Sequence, residues 1–173
     1  MELPSSSYLY NLTLISVTFA GFAALIAVFR QMVGGGLRKY DVFLIYSALV
    51  RSLIVIVCAL LPPLLALFEF SPSTIWRLSS LVAAVLIAVF SMSWPLVRRV
   101  ATDTPMRKVT LVYYALQWLT AIFLLMVALR IIFEATPGYF AAGMSVFLLV
   151  SWVSVLLSLE ILLHGHPREK RRK

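Results

Sequence analysis

Residues 41–68 read DVFLIYSALVRSLIVIVCALLPPLLALF, an apolar stretch that carries only Asp41 at its start and Arg51 within it. A helix needs roughly 20 apolar residues, at 1.5 Å each, to cross about 30 Å of hydrocarbon, and this stretch is long enough. A soluble core helix is shorter and carries a polar face. The stretch therefore predicts a transmembrane helix, and Arg51 becomes the residue that needs explaining.

Four more segments meet the same requirement on either side. The expected spans are 8–32, 41–68, 74–97, 109–133 and 139–163, which makes a bundle of five transmembrane helices in a single all-α domain over residues 1–173. The connectors carry breakers: Gly34, Gly35 and Gly36, then Ser71 with Pro72, Thr104 with Pro105, and Pro137 with Gly138. Loops this short leave no room for a soluble domain, so any activity must lie in the bundle or at its rims.

Composition agrees. The chain of 173 residues is 62% apolar and 13% charged, with a mean hydropathy of +0.98, where a soluble domain is about 25% charged. Too little charge is present to cover a water-exposed surface, which excludes a soluble globular enzyme and a disordered chain. The net charge of +8 does not mark a nucleic-acid binder, because Lys and Arg gather at the ends of apolar runs. That is how topology charges are placed.

One set of loops holds Arg30, Arg38, Lys39, Arg98, Arg99, Arg107, Lys108 and the run Arg168, Lys170, Arg171, Arg172 and Lys173; the other holds only Arg77 and Arg130 beside Glu69 and Glu134. The positive-inside bias places the N-terminus outside and the C-terminus in the cytoplasm, in a cell inner (plasma) membrane. Met1–Ser7 contains Glu2 and no basic residue, so the first span is expected to stay in the mature chain. The basic tail 164–173 is expected to lie on anionic lipid headgroups, each basic residue contributing roughly 1 kcal/mol.

Without a hydrophobic drive between helices in lipid, contacts form where small residues let backbones approach. Ser16, Ala20 and Ala24 have that spacing in the first span, Ser80, Ala84 and Ala88 in the third, and Ser151, Ser154 and Ser158 line the fifth. These faces either close one bundle or build an oligomer. Pro62 and Pro63 remove two backbone donors and are expected to kink or end the second helix on its outer side.

Arg51 lies deep in its span, where a cation costs several kcal/mol unless paired or hydrated. Ser47, Val55 and Cys58 share its helix face. Glu160, in the fifth span, is the expected partner, and Tyr113, Gln117 and Thr120 form a polar stripe at similar depth in the fourth. The expected site is thus an intramembrane polar layer of Arg51, Gln117, Glu160, Ser47 and Tyr113. Its roles divide between an ion pair that fixes helix order and a polar path for an anion.

The chain assembles no nucleophile with a base, no phosphate-binding glycine loop and no metal triad, so no catalytic residue, metal or cofactor is assigned. Glu160, His164 and His166 have a ligand-like spacing but lack further histidines to complete a site. The sequence points to a non-enzymatic membrane protein. The leading reading is a self-associating homo-oligomer forming a small ion channel with Arg51 on its path; the alternative is an accessory or assembly subunit of a larger membrane complex.

Overall fold

The computed structural model describes residues 6–32, 39–101, 108–131 and 134–164. Side chains are described for these except at 30–31, 39–41, 44, 97–101, 108–110 and 154–164. Among the described residues five helices follow one another: α1 (Ser6–Met32), α2 (Lys39–Ala66), α3 (Pro72–Ala101), α4 (Lys108–Leu129) and α5 (Pro137–His164). No strand occurs among the described residues. Four helices are long and apolar enough to cross a membrane, over Ser6–Phe29, Ile45–Ala66, Pro72–Leu96 and Leu111–Leu129; the described apolar part of α5 is Pro137–Val153.

The helix ends differ from expectation in an instructive way. The third and fifth helices begin on Pro72 and Pro137, residues that the sequence suggested as breakers. Proline suits the first helical position, where its missing N–H would have no partner anyway. Ser71 caps α3: its carbonyl accepts from the amides of Thr74 at 2.9 Å and Ile75 at 3.0 Å, and its hydroxyl meets that of Thr74 at 2.8 Å. The α3 helix also runs through Pro95 to Ala101, past the expected end at Val97.

The fourth helix stops at Leu129 rather than Phe133, because Arg130 turns into the left-handed region with φ of 56°. The Arg130 amide donates to the Val127 carbonyl at 3.2 Å and that of Ile131 to Met126 at 3.1 Å. This pair of bonds is a Schellman motif with arginine where glycine is usual. Arg77, at the start of α3, then donates from Nε to the Ala128 carbonyl at 3.2 Å, placing a cation at the negative end of α4.

Pro62 and Pro63 lie inside α2, which continues to Ala66. Of the two outcomes expected there, a kink or an end, the end falls three residues past Pro63 rather than at the prolines themselves. The chain leaves α2 through three tight turns, with the amides of Leu67, Phe68 and Glu69 donating to Leu64, Leu65 and Ala66 at 3.2 Å each, and Glu69 has φ of 57°.

Helices α2, α3, α4 and α5 form a ring in which each touches the next, and α1 packs outside it on α2 and α5. Backbones of α3 and α5 also approach across the ring, whereas those of α2 and α4 do not, among the described residues. The ring is thus a rhombus whose long diagonal joins α2 to α4. Its interior is sealed by Val55, Cys58, Ile87, Leu124, Val127, Phe140, Met144 and Phe147, all fully buried. Trp76 packs its ring on Phe140 at 5.8 Å, and Leu124 sits directly over Gly143.

The small-residue stripes are used in part within the chain. Ser16 is buried and bonds back to the Leu12 carbonyl at 2.9 Å; Ala20 is half-buried and Ala24 exposed. Ser80 and Ala84 are buried and Ala88 half-buried. Ser151 is buried and donates to Phe147 at 2.9 Å, while the side chains of Ser154 and Ser158 lie outside the described residues. A further small residue, Ala48 of α2, is buried in one cluster with Phe19 and Ala23 of α1, with Leu49 packed against it.

Candidate functional site

Arg51 stands two turns into the apolar part of α2, about 9 Å from Ile45 along the axis. It is 4% exposed, and Gln117 of α4 is 2% exposed. The Gln117 amide, oriented as its hydrogen bonding demands, turns its oxygen to the cation. That oxygen accepts from Arg51 Nε at 3.0 Å and from Nη2 at 3.1 Å. One carbonyl thus takes two parallel N–H groups of the guanidinium fork.

This bond crosses the long diagonal of the rhombus, where the two backbones are too far apart to touch. Only a long side chain spans that distance, and arginine is the longest cation available. Phe90 of α3 places its ring beneath the guanidinium, 5.4 Å from Cζ to centroid, within the reach of a cation–π attraction. Three helices therefore hold one side chain.

The expected partners divide as follows. Gln117 touches Arg51 directly, Tyr113, one turn earlier on α4, lies near enough to interact with it electrostatically, and Ser47 is buried one turn before Arg51 on α2. Thr120 is buried too but spends its hydroxyl on the Leu116 carbonyl at 2.9 Å. Glu160 lies on α5, and its side chain is outside the described residues. So are those of the basic tail, Arg168, Lys170, Arg171, Arg172 and Lys173, and of His164 and His166.

An aromatic ladder closes the layer toward the start of α2. Phe43 meets Trp94 at 5.7 Å, Trp94 stacks on Tyr114 at 6.3 Å, and Tyr114 meets Trp118 edge-on at 6.3 Å. The rings span α2, α3 and α4. Such a cover keeps the guanidinium in a low-dielectric setting, in which its hydrogen bonds gain strength and an orphaned donor becomes costly. Among the described residues no three His, Cys, Asp or Glu side chains come together as a metal site.

Sequence reasoning missed Phe90 and the cap made by Arg77. Nothing in the sequence marks Phe90, because an aromatic at that position reads as ordinary core. Arg77 read as an edge charge beside Glu69; its true acceptor belongs to another helix's end. No known protein family, no curated protein and no solved structure matches this chain.

Proposed function

We propose that the chain is a five-span integral protein of the cell inner membrane, N-terminus outside and C-terminus cytoplasmic, acting without catalysis as an accessory or assembly subunit packed against a larger membrane complex. The observation that carries this reading is the enclosure of Arg51 within one chain, bonded to Gln117 and backed by Phe90. An arginine serving a path between subunits has to face outward. This one faces inward, where it ties α2 to α4.

The same enclosure weakens the pore reading, which drew on a midplane cation and on small-residue faces free to build an oligomer. Among the described residues of those faces Ser16, Ser80, Ala84 and Ser151 are buried inside the monomer, and α1 keeps an outward small surface around Gly21 and Ala24. A helix of a partner subunit can approach closely there. The basic tail and the basic loops of the same rim support the orientation.

Gentle extraction from the native membrane, followed by mass and subunit composition of the particle, tests the proposal. Co-purification with unrelated membrane chains in fixed ratio is the expected result. A closed homo-oligomer without other chains overturns it and returns the channel reading.

A further inference from the structure

The proline pair of α2 takes two donors out of a helix that nevertheless continues to Ala66. Pro62 offers no N–H to the Cys58 carbonyl, and Pro63 offers none to that of Ala59. Tandem placement narrows the usual remedies as well, since Ala59 also loses its three-residue donor and Cys58 its five-residue one, leaving only the strained alternatives from Leu61 and Leu64. Cys58 and Ala59 are both buried, so bulk water does not reach these oxygens. A carbonyl left without a donor in such a place is costly.

Opposite them is a hydroxyl in the complementary condition. Ser79 of α3 is fully buried, and its Oγ has no hydrogen-bond partner among the described residues. Two ring contacts between the antiparallel helices α2 and α3 bracket its level. Counting from the Phe43–Trp94 contact sets Ser79 against Cys58, and counting from the Arg51–Phe90 contact sets it against Pro62. A helical carbonyl points toward the C-terminus, so the Cys58 oxygen lies in that interval.

The faces match too. Eleven residues make almost three full turns, and that step leads from Arg51 to Pro62 on α2 and from Phe90 to Ser79 on α3. Because the Arg51 guanidinium lies over the Phe90 ring, Pro62 and Ser79 fall on the corresponding faces of α2 and α3, almost three turns on. Yet Ser79 Oγ makes no hydrogen bond to the Cys58 carbonyl.

We infer that a single ordered water is bound between α2 and α3 at the proline pair, accepting from the Ser79 hydroxyl and donating to the Cys58 and Ala59 carbonyls. Three polar partners are the usual complement of a buried water. The chemistry selects water over a cation: three neutral oxygens are too few to replace an ion's hydration shell, and none carries the charge to offset it. The water substitutes for the two missing helix bonds, which explains how α2 crosses Pro62 and Pro63 without ending.

A structure of the protein in lipid at a resolution that shows waters tests this directly. Ordered density within hydrogen-bonding distance of both Ser79 Oγ and the Cys58 oxygen is expected; a dry contact, or a direct bond between the two, overturns the inference. A mutant cycle gives an independent reading. Ser79→Ala should raise the unfolding constant about fivefold in the parent chain, the worth of an ordinary hydrogen bond, and leave it unchanged or lower it in a Pro62→Ala/Pro63→Ala background. Equal losses in both backgrounds overturn the link between serine and prolines.

Discussion

Replacing Gln117 with leucine tests the central bond of the bundle. The substitution keeps side-chain size near constant but removes the oxygen that accepts from Nε at 3.0 Å and Nη2 at 3.1 Å. Each hydrogen bond to a charged group is worth about 1.5–3 kcal/mol, and breaking a buried charged pair by removing one partner costs about 3–5 kcal/mol. Arg51 keeps Phe90 and its neighbouring groups, so the lower end applies: about 3 kcal/mol, or roughly 150-fold in the unfolding constant. Arg51→Leu leaves a buried amide instead of a buried cation and should cost about 2 kcal/mol.

The double variant decides the matter. Leucine at both positions removes charge and amide together and should cost about 2 kcal/mol, against about 5 kcal/mol if the two losses were independent. Reversible unfolding in bicelles, followed by tryptophan fluorescence, gives all four corners of the cycle. Additive losses would refute the reasoning, since they would mean that the guanidinium and the amide do not depend on one another.

Gly143→Ala places a Cβ 2.7 Å from Leu124 Cδ2; because Leu124 is fully buried, the variant should lose about 1–3 kcal/mol, and Leu124→Ala should remove the clash when the two are combined and unfolding is measured. Gly21→Ala meets nothing within 4 Å and should be neutral or stabilising by up to about 1 kcal/mol in the same assay. Arg77→Met removes the bond to the Ala128 carbonyl; faster amide exchange at Arg130 and Ile131, with global stability lowered by no more than about 1 kcal/mol, is expected. Arg130→Gly relieves the left-handed backbone and should raise the melting temperature, a gain of about 0.5–1 kcal/mol.

What the sequence disclosed follows from how local each signal is. Span lengths depend on runs of Leu, Val, Ile and Ala, and four of them are matched by helices of the required length. Helix ends depend on backbone chemistry that a residue type does not fix. Pro72 and Pro137 break a helix when they stand inside it and begin one when they stand at its first turn, and only the hydrogen bonds at Ser71 and Thr136 show which applies. Arg130 carries no sign that it will take a glycine's conformation.

The polar layer shows the same division at longer range. Spacing placed Arg51 and Ser47 on one face of α2, and Tyr113 and Gln117 on one face of α4, because a helix repeats every 3.6 residues. Depth placed both stripes in the same half of the bundle. Neither quantity says which helices stand across a diagonal, and that arrangement makes Gln117 an acceptor for Arg51. Charge alone suggests Glu160, whose side chain lies outside the described residues; a neutral amide satisfies the directional part of the guanidinium's demand. Where the α2 and α4 backbones do not touch, the reach of the side chain decides the partner. Arg51 and Gln117 together have that reach, and Arg51→Lys, which keeps one point charge but loses the Nε donor, should not restore the paired bond.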